Sequence, residues 1–151
     1  MERLHMNPSY KAIPCLRHGD EVVYQKLDYR STIAAIGQSI LQGRAERGYV
    51  TFAVICKNQE DAATAYQSLK EQLPNVQLIS EDNAVYDGGI SVLPSYLAKG
   101  MEFDAVYLPW ADASHYGMDA LDGKLLYVSM TRALHSLYLY YEDAITPLLA
   151  C

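Results

Sequence analysis

The sequence is poor in cysteine and in long apolar runs. Its three cysteines show no Cys-x-x-Cys or Cys/His ligand spacing, and their odd number argues against a disulfide framework. This usage favours a reducing, cytoplasmic compartment. No apolar run approaches the ~20 residues that a membrane helix needs, and no signal peptide opens the chain. We therefore expect no membrane partner.

Basic residues are also scarce. Twelve Lys and Arg stand against 18 Asp and Glu, which gives a formal net charge of -6. Such a surface excludes avid binding of nucleic acid over the whole molecule, because that binding depends on neutralising phosphates. This net charge is still compatible with a local basic groove that binds nucleic acid. The four histidines share no metal-ligand spacing, so no metal site is expected.

A phosphate-binding loop is missing. The chain contains no GxxxxGK[ST] motif, and Gly123-Lys124-Leu125 has neither the glycine spacing nor the hydroxyl. No acidic pair follows a strand to hold magnesium and activate water. Phosphoryl transfer needs the phosphate cradle, the metal and a charge-neutralising arginine together. The chain alone is expected to hydrolyse nothing.

What is present is a regular alternation of strands and helices. The 151 residues, half of them hydrophobic, suit one compact domain, and the alternation predicts a parallel α/β sheet flanked by helices. We expect residues 1–19 to be irregular and residues 20–151 to form a single domain of a longer protein. Strands are predicted at 22–27, 49–56, 76–79, 90–93, 105–109 and 136–141.

Local signals set the predicted helix ends. Ser31 is expected to cap a helix that ends at Gly43, and Asn58 to cap a second helix that Pro74 stops. A third helix is predicted over 125–134. A turn is predicted at 87–89, and a solvated polar loop, with Trp110 as a candidate partner contact, over 110–122. Asp112, Asp119 and Asp122 lie in that loop. Cys56, Tyr138 and Tyr140 are expected to pack against the sheet.

Two stretches carry charged residues in patterns that suggest a ligand. Lys99, Gly100 and Glu102 lie in a loop after a predicted strand, and in a parallel sheet such loops usually hold ligands at the carboxyl ends of strands. Arg132 follows Leu125 at i+7, at the end of a core-facing stripe, where its charge needs an anionic partner. That partner is either a structural carboxylate, Glu102 or Asp104, or a phosphate gripped by the guanidinium.

Together the two stretches resemble helicase motifs. Ala98-Lys99-Gly100-Met101-Glu102-Phe103-Asp104 is similar to motif V (AKGLEF) of the UvrD/Rep-type superfamily 1 helicases, and Leu126–Ala133 is similar to their motif VI (LxYVxxTRA). Order and spacing agree. The resemblance implies the second RecA-like domain, of P-loop NTPase type but without its own P-loop. It also implies an ATP-dependent DNA helicase or translocase whose N-terminal RecA-like domain binds most of the ATP and Mg2+.

The same resemblance implies roles for individual residues. Arg132 would act as an arginine finger across the cleft between the two domains, and Thr131 would belong to the nucleotide-binding set. Glu102 would meet the ribose, while Lys99 and Gly100 would couple their loop to the phosphates and to the nucleic-acid track.

Departures from the UvrD/Rep pattern indicate an alternative function. The subdomain inserted before motif V is missing, and Pro94 and Tyr96 stand where that branch has residues facing single-stranded DNA. Residues 94–100 and 131–135 look more like the HelD-type helicases, which associate with RNA polymerase and use ATP to release it from nucleic acid. The alternative is therefore a module that docks RNA polymerase or a repair partner. Ser95 and Tyr96 remain candidate nucleic-acid contacts.

One stretch resembles a motif in an unexpected position. Asp28-Tyr29-Arg30-Ser31-Thr32 looks like the NYRST element, motif IV, whose arginine meets the γ-phosphate in the family. That element is expected upstream of Met1. Arg30 is therefore interpreted as a surface residue at the start of a helix.

Overall fold

A computed structural model describes residues 21–80, 89–112, 116–117, 120–142, 144 and 146. Six strands form one sheet in the order β1-β6-β5-β2-β4-β3, and every neighbouring pair is parallel. The predicted parallel sheet is confirmed. The strands are β1 (Glu21–Lys26), β2 (Phe52–Cys56), β3 (Val76–Leu78), β4 (Ile90–Pro94), β5 (Phe103–Leu108) and β6 (Ala133–Tyr141).

Helices cover both faces of the sheet. On one face the core contains apolar residues of α1 (Tyr29–Glu46) and α2 (Gln59–Leu69). On the other face it contains residues of α3 (Ala120–Met130) and Ala98, which follows a 3-10 turn at Ser95–Leu97. Strand β2 is buried throughout and sends alternate residues to the two cores, as its near-continuous apolar sequence indicates. Cys56 packs in one of these cores, as predicted.

Helix α1 begins earlier and ends later than predicted. Asp28, not Ser31, is the N-cap: its extended backbone precedes the helix, and its carboxylate accepts a hydrogen bond from the Ser31 amide at 2.7 Å. Ser31 lies within the first turn. Gly43 does not end the helix either. It is buried beside Tyr49 and Phe52, where a Cβ would come within 3.3 Å of the Tyr49 ring, so the glycine serves close packing.

Helix α2 begins as predicted but ends before its expected stop. The Asn58 side chain caps it by accepting from the Asp61 amide at 2.8 Å. The helix ends at Leu69, and the Lys70 amide closes the last turn on the Tyr66 carbonyl. The prediction that Pro74 stops it is therefore wrong, because the helix has already ended when the chain reaches the proline.

The predicted solvated loop over 110–122 is wrong where the structure describes it. Trp110 is only 3% exposed and packs in the core, which excludes it as a surface contact for a partner. The buried Asp112 carboxylate accepts from the Glu142 amide at 2.7 Å. Asp122 belongs to the first turn of α3 and forms an ion pair with Lys57 at 2.9 Å. Asp119 and residues 87–88 of the predicted turn lie outside the described residues.

Helix α3 is shorter than predicted at its carboxyl end. It ends at Met130, so Thr131 and Arg132 form a turn and Ala133 opens β6. Tyr138 and Tyr140 of β6 face the α1 side of the sheet, where Tyr138 stacks on Tyr107 at 4.7 Å, so their predicted role in covering the sheet is confirmed. Within the described ranges, no helix has the length and apolar character needed to cross a bilayer.

The packing of α1 gives a stability prediction. Ile36 is fully buried between α1 and the sheet, and Leu41 on the same helix is 45% exposed. We expect Ile36→Ala to lower the free energy of unfolding by about 2–5 kcal/mol, because it removes buried methyl groups and leaves a cavity. The matched change Leu41→Ala should stay within about 0.5 kcal/mol of wild type. Urea denaturation of both variants measures this, and equal effects would contradict the assigned burial.

Candidate functional site

The motif V loop crosses from one edge of the sheet to the other. Because β4 and β5 run in the same direction, residues 95–102 must return from the carboxyl end of β4 to the amino end of β5. Met101 and Glu102 directly precede Phe103, the first residue of β5. The sequence predicted a site at the carboxyl ends of the strands, but only the start of the loop lies there. The end of the loop, with Glu102, lies at the amino ends of the strands.

A tight turn fixes the middle of this loop. The Met101 amide donates to the Ala98 carbonyl at 3.0 Å, and Gly100, the third residue of the turn, has a φ of 86°. Lys99 before it has no positive φ, so the turn is of type II, which requires glycine or asparagine at that position. The position of Gly100 in the motif thus has a conformational reason.

Strand pairing brings the two motifs together. Phe103 of β5 is in register with Ala133 of β6, and the Phe103 amide donates to the Arg132 carbonyl at 2.9 Å. Glu102 and Arg132 each precede one member of this pair. They therefore lie side by side at the amino edge of the sheet.

Three hydrogen bonds hold the half-buried Arg132 guanidinium. Nε donates to the Val128 carbonyl at 3.0 Å, and Nη2 donates to the Thr131 hydroxyl at 3.1 Å. Nη1 makes a longer contact, 3.4 Å, with the Met101 carbonyl of the motif V loop. The side chain is thus oriented toward that loop.

These three hydrogen bonds use only part of the donor capacity of the Arg132 guanidinium. A guanidinium has five N–H groups, so one remains on each terminal nitrogen of Arg132. Within the described residues Arg132 forms no ion pair, so neither Glu102 nor Asp104 is the structural carboxylate that the sequence left open. Two remaining donors on a planar fork suit two oxygens of a phosphate.

Lys99 and Glu102 are both exposed at this site. Neither side chain forms a hydrogen bond or ion pair with the rest of the described chain. Their charges are therefore available to a ligand or to another domain.

Asp104 has a structural role that the sequence did not reveal. Its carboxylate accepts from the Val50 amide at 2.8 Å and from the Thr51 amide at 3.1 Å, while its own amide donates to the Thr51 hydroxyl at 2.8 Å. Partial burial alone would raise the pKa of this carboxyl, but the hydrogen bonds and the nearby His135 outweigh it and lower the pKa. This contact fixes the start of β5 to the segment before β2.

Ser95, Tyr96 and Arg30 are not part of this cluster. Ser95 is buried and its hydroxyl donates to the Lys57 carbonyl at 3.0 Å, so it presents no surface to nucleic acid in this conformation. Tyr96 is 45% exposed. Arg30 is exposed in the first turn of α1, at the carboxyl edge of the sheet, opposite to Arg132.

Among the described residues, no three His, Cys, Asp or Glu side chains lie close enough together to hold a metal ion.

Other contributions were missed because they come from the backbone or from distant residues. The Met101 and Val128 carbonyls orient Arg132, and backbone groups leave no mark in a sequence. The Lys57–Asp122 ion pair, which ties α3 to the end of β2, joins residues far apart in the chain. Thr131 was placed near the nucleotide, but its contact with Arg132 had no separate signal.

Comparisons with known proteins identify the family and the fold of the chain. The family model described as the UvrD-like helicase C-terminal domain matches residues 89–140. The crystal structure of the C-terminal domain of a possible DNA helicase from Lactobacillus plantarum WCFS1 shares 31% identity and a TM-score of 0.71, over 87% of this chain and 78% of that one. The chain belongs to the UvrD-like helicase C-terminal domain family. It is thus the C-terminal domain of a helicase-type protein.

More distant structures share the fold alone. The C-terminal domain of the DEAD-box protein Dbp5 is 10% identical with a TM-score of 0.58, over 82% of this chain and 77% of that one. Domain 2 of the DEAD-box helicase Mss116p, bound to an RNA duplex, is 14% identical with a TM-score of 0.61, over 82% of this chain and 55% of that one. These matches support the RecA-like architecture. No curated protein sequence matches the chain.

The lowered pKa of Asp104 predicts how stability depends on pH. Its contribution is fully present above the ordinary carboxyl pKa of about 4 and is lost as the pH falls through the lower pKa of the folded state. Asp104→Asn should therefore be less stable than wild type at pH 7 and lose less stability between pH 5 and pH 2. Urea midpoints across this range test the prediction. Parallel pH curves for the two proteins would count against it.

Proposed function

We propose that this chain is the second motor domain of an ATP-dependent DNA helicase or translocase and supplies the arginine finger, Arg132, to a shared ATP site. The observation that carries the proposal is the Arg132 guanidinium, oriented by three hydrogen bonds and still holding one N–H donor on each terminal nitrogen. The sequence offers no phosphate loop of its own. The N-terminal RecA-like domain therefore binds most of the ATP and the Mg2+, which neutralises phosphate charge.

In this proposal Arg132 acts on the terminal phosphate. As the bond to that phosphate breaks, negative charge spreads over its oxygens, and a fixed guanidinium stabilises this charge without reorganising. Such a group is worth about 10³ to 10⁵ in rate. Because Arg132 reaches its target only when the two domains close around ATP, hydrolysis depends on closure.

Neighbouring residues complete the proposed site. The exposed Glu102 carboxylate accepts hydrogen bonds from the ribose hydroxyls, and Lys99 approaches the phosphates. The type II turn at Gly100 connects both to the Arg132 guanidinium through the Met101 carbonyl. Tyr96, exposed at the far end of the loop, is the residue we assign to the DNA track. The full-length protein is expected in the cytoplasm.

Residues 94–100 and 131–135 favour a second candidate function, because they look more like the HelD-type helicases than the UvrD/Rep branch. That candidate is a protein that docks RNA polymerase and uses ATP to release it from nucleic acid. Duplex unwinding without any effect on stalled polymerase complexes would exclude this candidate, and the reverse result would support it.

The arginine finger is tested in the full-length protein. Arg132→Ala should lower the ATPase kcat by about 10³-fold or more, because the transition-state charge loses its guanidinium. Lys124→Ala removes one positive charge from the exposed face of α3, the helix that precedes Arg132, and should leave kcat within about twofold. Steady-state ATP hydrolysis measures both. A kcat for Arg132→Ala within twofold of wild type would contradict the proposed role of Arg132 as an arginine finger.

The role of Glu102 has a different kinetic signature. Glu102→Gln in the full-length protein should raise the KM for ATP by about 10-fold with little change in kcat, because the lost hydrogen bond is made equally before and during the reaction. Glu60→Gln, an exposed carboxylate at the other edge of the sheet, serves as the control. An unchanged KM for Glu102→Gln would remove this residue from the ribose site.

A further inference from the structure

Thr131 of the TRA sequence makes contacts that differ from those expected of a nucleotide ligand. Its side-chain oxygen lies 3.0 Å from the Tyr127 carbonyl and 3.1 Å from the Val128 carbonyl, at the end of α3. A hydroxyl has one proton to donate, and carbonyl oxygens only accept. The Thr131 proton is therefore directed at the last turn of the helix.

The same oxygen faces the arginine as an acceptor. Arg132 Nη2 donates to Thr131 Oγ1 at 3.1 Å, while Arg132 Nε donates to the Val128 carbonyl. The Val128 carbonyl thus accepts from Arg132 and also lies within hydrogen-bond distance of the Thr131 hydroxyl, whose single proton is shared between the Tyr127 and Val128 carbonyls. Thr131 and Val128 together fix one edge of the guanidinium, and the Met101 carbonyl restrains its other terminal nitrogen.

We infer that Thr131 is a positioning residue, which orients the Arg132 guanidinium for the terminal phosphate rather than touching the nucleotide itself. Since its proton is engaged by the helix, its hydroxyl has nothing to donate to a phosphate oxygen. Its lone pair selects the rotamer of Arg132 that leaves one N–H donor on each terminal nitrogen. This inference rests on the proposed function of Arg132 and names the residue on which that function depends.

Kinetics of full-length variants test the assignment. Thr131→Val keeps the side-chain shape but removes both the donor and the acceptor, so kcat for ATP hydrolysis should fall about 10-fold with KM for ATP nearly unchanged. Thr131→Ser keeps the oxygen and should restore kcat to within about twofold of wild type. A rise in KM with constant kcat would instead indicate direct contact with ATP and overturn the inference.

A double-mutant cycle separates positioning from a general structural role. In an Arg132→Lys background there is no planar fork to orient, so adding Thr131→Val should change kcat by less than about twofold. A further 10-fold fall in that background would show that Thr131 acts by another route and would overturn the inference. If Thr131→Val lowers the melting temperature, Thr131→Ala, which suits the helix end better, repeats both comparisons.

The two proposals fail in distinguishable ways. Wild-type activity of Thr131→Val, beside an inactive Arg132→Ala, overturns the positioning role and leaves the arginine finger in place. Wild-type activity of Arg132→Ala overturns the arginine finger, whatever Thr131→Val does.

Discussion

The hydrogen bond between the Phe103 amide and the Arg132 carbonyl links the motif V loop to the motif VI segment at the amino edge of the sheet. It belongs to the ladder between β5 and β6, so the strand pairing that builds the core also sets the distance between Glu102 and Arg132. Neither side chain is held by a contact to the other. The strand pairing therefore sets the backbone positions of both residues, and three hydrogen bonds orient the Arg132 guanidinium, as suits a group that must act without reorganisation.

The net charge of the chain is negative, whereas the candidate site carries positive side chains. The chain is acidic overall, yet Lys99 and Arg132 present cationic groups at one edge of the sheet. Asp104 of β5 is engaged by two backbone amides and forms no ion pair with Arg132.

The sequence predicted the sheet and the association of the two motifs well, because apolar runs and helical spacing report burial directly. It predicted helix ends less well. Asp28 and Ser31 are both good capping residues, and only the backbone conformation decides that Asp28 caps α1. Gly43 signals a helix end by composition but serves close packing against Tyr49 and Phe52. Trp110 opens a stretch that contains Asp112, Asp119 and Asp122, yet the fold buries it, since local composition does not encode contacts across the sheet.

The sequence indicated the residue types of the candidate site but not the groups that orient Arg132. Glycine, lysine and arginine spacing identified the loop and the turn, whereas the partners of Arg132 are carbonyl groups and one hydroxyl. Since every residue has a carbonyl, no sequence pattern distinguishes Met101 or Val128 in that role.

The pairing of β1 with β6 has a consequence for the order in which the fold is completed. Glu21 is in register with Ser136, and within the described sheet β6 is the only neighbour of β1. During synthesis on the ribosome, β1 emerges long before its partner exists and must remain unpaired until the motif VI segment has followed. Contacts between such distant residues form late and slow the folding of a chain. The step that completes the sheet therefore comes only after Arg132 has been made.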